Sequence, residues 1–213
     1  MSADFIQLLV GGILLGGIYG LAAFGLSITF GVLNVLNLAH GEFLMLGSLL
    51  SYGIFIGLGL NPFIAAVLVI PVFMLLGIGF YLLLLKPIMD KPPHQLLVAS
   101  ILVTLGASLF IEDVTAFFWE RPVTGISYSL PPMELAGVVI SSTRLLILLF
   151  IFALACGMQL YLKKTYVGKS IRAIVQGREG AKVVGIPISR ISALAFSIGM
   201  ALAASAGAFY VTL

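Results

Sequence analysis

Six long apolar segments, separated by short polar stretches, set the pattern of this chain. A helix needs roughly 20 apolar residues to cross the hydrocarbon core of a bilayer, which is about 30 Å thick. The pattern therefore predicts an all-α fold, a polytopic transmembrane helical bundle of about six spans that forms a single domain over residues 1–213. The predicted spans are 5–33, 43–60, 63–85, 96–118, 145–162 and 191–213.

The composition agrees with a chain whose main solvent is lipid. Hydrophobic residues make up 61% of the sequence and charged residues 9%, whereas soluble domains average roughly 45–50% and about 25%. The last span ends in apolar residues at Leu213 without a polar anchor. We therefore expect the natural protein to continue beyond this position.

The basic residues predict the orientation of the chain. Nine of the eleven Lys and Arg residues lie in two connectors, 86–95 and 163–190, whereas the connector 112–144 has four acidic and two basic residues. Positive charge is retained on the cytoplasmic side of a membrane, so the two basic connectors are predicted to be cytoplasmic and the N-terminus external. Basic residues placed between spans are a topology signal, and we predict no nucleic-acid binding.

Glycines recur at every fourth position in the first two spans. Gly12, Gly16 and Gly20 follow this spacing, as do Gly53 and Gly57. Small residues at this spacing allow the backbones of membrane helices to approach closely. The pattern predicts tight helix packing at these glycines; an alternative is that they line a moving interface.

Polar residues interrupt the apolar sequence between the first two spans. They are Asn34, Asn37, His40 and Glu42, with Gly41 among them. Polar groups at membrane depth are costly unless they have partners or face a cavity, so they are candidates for a substrate pathway. The other reading is a short interfacial turn, broken by Gly41 and with Glu42 near a helix start. The residues alone leave both readings open.

The basic connector 163–190 predicts an amphipathic surface helix. Ile171, Ile174 and Val175 share one face, away from the polar residues, and such a helix either rests on anionic lipid or presents a ridge to a partner. Gly177 and Gly180 each cost roughly 1 kcal/mol relative to Ala within a helix, which favours a bent or two-part element.

Neither a nucleotide site nor a metal site is predicted in this chain. Residues 168–170 match the end of a phosphate-binding loop, but the required earlier glycine is Lys163 and a membrane span precedes it, so we reject ATP binding. His40 and His94 are 54 positions apart, and Cys156 is the single cysteine. We predict no catalytic residues, no metal ligands and no cofactor in this chain.

Two motifs resemble the LivH-type permeases of branched-chain amino acid ABC transporters. They are FGVLNVLNLAHGEFLMLG at 30–47 and IRAIVQGREGAKVVGIP at 171–187. The first looks like the signature near the start of these permeases, and the second is similar to their cytoplasmic coupling loop. Many members have Glu-Ala-Ala where this chain has Glu179-Gly180-Ala181, so the helix is expected to be weaker here.

The resemblance implies an importer in the bacterial inner membrane with several partners. These are a second homologous permease subunit, two cytoplasmic ATPase subunits that carry ATP and Mg²⁺, and an external periplasmic or lipid-anchored binding protein, in contact with membrane lipid. The cargo would be branched-chain or other hydrophobic amino acids. The pathway residues would be Asn34, Asn37, His40, Gly41 and Glu42, and the residues that couple to the ATPases would be Arg172, Glu179, Gly180, Ala181 and Gly185.

Two other functions remain open at this point. A related ABC permease for urea or short amides would share the same motifs. An ion-coupled secondary transporter would work without ATPases and would need a titratable acid within the membrane, for which Glu42 is the candidate.

Overall fold

The computed structural model of the protein describes residues 2–119, 125–126, 130–131, 133–135 and 138–212. Within these residues the chain forms eight α-helices and one short antiparallel hairpin. A π-helical turn at Tyr81–Leu85 and a 3₁₀ turn at Lys86–Ile88 extend the third helix. The elements are α1 (Ser2–Leu33), α2 (His40–Leu58), α3 (Pro62–Phe80), α4 (Pro93–Phe118), β1 (Met133–Leu135), β2 (Val138–Ile140), α5 (Ser142–Lys164), α6 (Tyr166–Gln176), α7 (Arg178–Val183) and α8 (Ile188–Tyr210).

Six of these helices are long and apolar enough to cross a membrane, which confirms the predicted fold class and the number of spans. The third span continues to Ile88, beyond its predicted end, because its extension keeps helical geometry. The predicted sixth span ends at Leu213, which lies outside the described residues. The hairpin of β1 and β2 was not predicted, and the acidic connector that contains it is described only in part.

Helix α8 lies at the centre of the bundle. All its residues from 191 to 209 except Leu194 are buried, and α1, α2 and α3 pack around it. Helices α4 and α5 have most of their surface exposed. Alanine, serine and glycine dominate the second half of α8, and these small side chains allow three neighbours to reach its backbone. Larger side chains would hold the neighbouring helices apart.

Five glycines of the described residues make close contacts between α8 and its neighbours. A Cβ at Gly25 would lie 2.5 Å from the carbonyl oxygen of Gly199, and a Cβ at Gly77 would lie 2.5 Å from the Cα of Ser197. Hypothetical Cβ atoms at Gly47 and Gly207 would overlap the backbones of Ala204 and Leu44, and one at Gly199 would overlap the Thr29 hydroxyl. These positions therefore require glycine.

The prediction of tight packing at the four-residue glycine repeats was wrong within this chain. Within the described part of the chain, Cβ atoms at Gly12, Gly16, Gly20, Gly53 and Gly57 would meet nothing within 4 Å. Their helices do contact α8, but through other faces, because a spacing of four defines one side of a helix without showing which side meets a neighbour.

The two basic connectors lie at the same end of the bundle, here called the basic end. Lys86 and Lys91 from the first connector line one cavity together with Arg178 and Lys182 from the second. This placement agrees with the prediction that both connectors face one side of the membrane. Which side it is remains a prediction.

The second basic connector forms a two-part element, as predicted. Helix α6 ends before Gly177, and α7 follows directly. Ile171 and Ile174 are buried, as expected for an amphipathic helix, whereas Val175 is 54% exposed. Gly168 allows α6 to approach α5, because a Cβ there would overlap the backbone of Leu162.

We expect Gly47→Ala and Gly207→Ala to destabilise the bundle, since each added methyl group meets backbone that cannot turn aside. Overpacking of this kind costs about 1–3 kcal/mol. The measurement is thermal unfolding of the purified protein in detergent. Gly53→Ala is the matched control, because its methyl group enters open space and alanine favours the helix. Equal melting temperatures for all three variants would contradict the packing described here.

Candidate functional site

The connector between α1 and α2 turns back into the bundle. Asn34 ends α1 in the left-handed conformation with φ 53°, and its N–H donates to the Phe30 carbonyl at 2.8 Å. His40, at the start of α2, has Nε2 2.9 Å from the carbonyl oxygen of Ala22. Ala22 lies about twelve residues before Asn34, which is roughly 18 Å of helix. The start of α2 is therefore deep in the bundle, and the prediction of a shallow interfacial turn does not fit this geometry.

Two hydroxyl groups of α4 bind this connector and the first turn of α2. Thr104 Oγ1 is buried, accepts the N–H of Leu38 at 3.1 Å and lies 3.1 Å from the carbonyl oxygen of Leu36. One turn further along α4, Ser108 donates to Glu42 Oε1 at 3.0 Å. These bonds give the peripheral helix α4 a polar attachment at the depth of the connector.

Several buried polar atoms at this site have no hydrogen-bond partner within the described part of the chain. Both Oδ1 and Nδ2 of Asn37 are in this group, and the residue is 5% exposed. His40 Nδ1 is also unpaired, although its Nε2 is not. A buried polar group without a partner costs about 1–3 kcal/mol, so these atoms favour a partner from outside the chain, such as water or a polar solute.

The structure brings four of the five predicted pathway residues together. Asn37, His40 and Glu42 lie around the start of α2, and Gly41 lies between them with open space where a Cβ would be. Asn34 lies apart, at the basic end, where it lines a cavity of about 830 Å³. The sequence analysis missed Thr104 and Ser108. Their signal was present as hydroxyl residues four positions apart within an apolar span.

The predicted coupling residues have different surroundings. Arg172 donates from Nη1 to the carbonyl of Leu162 and from Nη2 to that of Lys163 at 3.4 Å, so it binds the C-terminal carbonyls of α5. Ala181 is buried, and Gly185 has a φ of 78° that glycine adopts readily. Glu179 and Gly180 are exposed, and Glu179 pairs with Lys182 at 3.1 Å.

Two exposed apolar residues at the end of α7 also escaped the sequence analysis. Val183 is 87% exposed and Val184 is 73% exposed. They project from a short polar helix outside the predicted spans, so lipid contact of a membrane-spanning segment does not account for them. Exposed apolar side chains in this position are typical of a surface that meets a partner.

Comparison with known proteins gives one family. The model of the branched-chain amino acid transport system permease component matches residues 8–213. The chain is 27% identical to the high-affinity branched-chain amino acid transport system permease protein BraD of Pseudomonas aeruginosa, over 95% of this chain and 69% of BraD. It is 26% identical to LivH of Escherichia coli K12, with the same two coverages, and 26% identical to a probable LivH of Methanocaldococcus jannaschii, over 94% and 64%. No solved structure gives a significant match.

We expect Thr104→Val to weaken the attachment of α4, because the N–H of Leu38 then loses its acceptor in a partly buried position. The expected loss of unfolding free energy is about 0.6 kcal/mol and at most about 1.7 kcal/mol, measured by thermal or denaturant unfolding in detergent. Thr115→Val, on the same helix, removes a hydroxyl with no side-chain hydrogen bond among the described residues and serves as the control. If both variants unfold like the wild type, Thr104 does not hold α4.

Proposed function

Because the chain belongs to the permease family of branched-chain amino acid transport systems, we propose that it is a membrane subunit of an ATP-driven importer of hydrophobic amino acids. The helices α1, α2 and α4 border the translocation pathway, which opens alternately to the two sides of the membrane. The proposed location is the bacterial inner membrane, with the basic end in the cytoplasm.

The unpaired polar atoms around Asn37 are the observation that carries this proposal. An amino acid has an ammonium and a carboxylate that need polar partners once water is removed. The Asn37 amide offers a donor and an acceptor, and His40 Nδ1 and the Glu42 carboxylate lie on the neighbouring turn. Leu36 and Leu38, on either side of Asn37, are 39% and 46% exposed and provide apolar wall for a hydrophobic side chain.

We expect Asn37→Leu to separate transport from stability. Because the amide is unpaired, its removal should leave the unfolding free energy unchanged or raise it by about 1 kcal/mol. Uptake of radiolabelled leucine by the complete transporter should fall roughly tenfold or more, as for the loss of a hydrogen bond of about 1.4 kcal/mol. If the amide had a purely structural role, its removal would instead lower the unfolding free energy.

Ser192→Ala is the matched control for this experiment. Ser192 is also buried, and its hydroxyl also has no hydrogen-bond partner among the described residues, but it belongs to α8 and not to the connector or to α2. Its uptake should equal that of the wild type. Normal leucine uptake by an expressed Asn37→Leu variant would refute the pathway role. If urea or acetamide competes with leucine for uptake, the alternative function, a permease for urea or short amides, is favoured.

The second part of the proposal concerns the ATPase subunits. ATP and Mg²⁺ would bind on these partners, which dock on α7 at the basic end. Val183 and Val184 offer apolar surface there, and the neighbouring Glu179 and Lys182 are exposed polar residues of the kind that rim an interface. A second, homologous permease subunit would complete the membrane part, and an external binding protein would deliver the amino acid at the opposite end.

We expect Val183→Asp to abolish docking of the ATPase, because it places a charge where an apolar contact forms. The co-purified ATPase should fall roughly tenfold or more, measured by quantitative pull-down of the detergent-solubilised complex. Val175→Asp introduces the same charge on the exposed face of α6 in the same connector and should keep the ATPase bound. Retention of the ATPase by Val183→Asp would show that α7 is not the docking element.

A further inference from the structure

A cavity of about 830 Å³ opens at the basic end, apart from the site around Asn37. Its walls come from the end of α1, the turns that follow α3, the start of α4, α7 and the start of α8. It therefore lies where the membrane-spanning segments meet the polar connectors. At this depth a cavity is reached both by water and by the headgroups of the adjacent leaflet.

The charged groups of this cavity carry an excess of positive charge. Lys86, Lys91 and Arg178 line it, and within the described residues no carboxylate lies within 4.0 Å of their charged groups. Lys182 also lines it but is paired with Glu179 at 3.1 Å. Asp90 is the one remaining carboxylate among the lining residues. Three unpaired cations thus face one unpaired carboxylate.

The floor of the same cavity is apolar. Leu33, Tyr81, Met89 and Leu96 line it and are buried, so their positions are fixed. Phe30 and Leu97 also line it and are 45% and 39% exposed, so they offer apolar area that a ligand can contact. A small inorganic anion would gain nothing from this floor. A ligand with a phosphate group and adjoining glycerol and acyl carbons would use both the charged rim and the apolar floor.

We propose that this cavity binds the headgroup of an anionic phospholipid from the adjacent leaflet. The phosphate lies between Lys86, Lys91 and Arg178, and the glycerol and first methylene groups lie on the apolar floor. The bound lipid joins the connector after α3 to α7, since both segments line the cavity. This inference does not depend on the cargo of the transporter.

The experiment is a lipid titration of the complete, delipidated complex in detergent, with bound lipid counted by native mass spectrometry. Phosphatidylglycerol should bind the wild type at least tenfold more tightly than phosphatidylcholine does. The variant Lys86→Gln/Lys91→Gln/Arg178→Gln should lose this preference. The control Lys163→Gln/Lys164→Gln/Lys169→Gln removes the same charge from exposed positions of the basic end outside the cavity and should keep it.

Further arms of this titration identify the ligand. Asp90→Asn should raise the affinity for phosphatidylglycerol severalfold, which tests the cavity with a variant that adds no repulsion. Soluble glycerol 3-phosphate should bind far more weakly than the lipid, and equal binding would show a site for free anions and overturn the proposal. Unchanged lipid binding by the triple variant would overturn it too. If the triple variant keeps its lipid binding and loses the ATPase, the cavity belongs to the ATPase interface, and the proposal is overturned as well.

Discussion

The close approach of α1, α2 and α3 to the backbone of α8 is the contact on which the rest of the structure depends. Within a bilayer, burial of apolar surface against another helix gives little gain, because lipid is equally apolar. Cohesion then comes from van der Waals contact, which falls off within less than 1 Å of separation. Glycine at 25, 47 and 77 brings three helices within that range of α8. Ser48 adds a hydrogen bond to the carbonyl oxygen of Gly207 at 2.7 Å.

This packing divides the bundle into a tightly joined centre and a looser periphery. Helix α4 is mostly exposed and is attached near the connector by Thr104 and Ser108. Hydrogen bonds between membrane helices contribute about 0.6 kcal/mol on average, which is less than their apolar surroundings would suggest. A helix held by a few such bonds moves more easily than one interlocked through glycines. The connector at 34–39 lies between these two parts, where a change in separation opens or closes space beside Asn37.

The sequence was sufficient for the spans and insufficient for their arrangement. Hydropathy identified all six membrane helices, because length and apolarity decide whether a helix can cross a bilayer. It did not identify α8 as the central one, since the other spans are also apolar. The distinguishing signal was the run of small residues in the second half of α8, which fits a helix with neighbours on every side. The glycine repeats of α1 and α2 drew attention to positions that have no close neighbour among the described residues.

The site was predicted in composition but not in geometry. Asn37, His40 and Glu42 were recognised because polar residues are rare in such a sequence. Their depth depends on the left-handed turn at Asn34, a backbone conformation that the residue type allows without requiring. Thr104 and Ser108 join the site through contacts that span more than 60 positions in sequence, and no local pattern contains that information.

The order of elements at the basic end provides a physical route from the proposed docking element α7 to this site. Few residues separate α7 from α8. Gly185 provides the left-handed backbone of the turn between them, and the ring of Pro187 fixes its own φ. A displacement of α7 therefore acts on the first turn of α8. Because α8 is buried along its length, it moves together with its neighbours or hardly at all. Among those neighbours is α2, whose first residue is His40 and whose Gly47 contacts Ala204 directly.

The alternative route runs from α6 to the end of α1, where Val175 lies 3.8 Å from the Cβ position of Gly31. That contact involves a half-exposed side chain that can rotate away, so the interlocked route through α8 is the stiffer of the two.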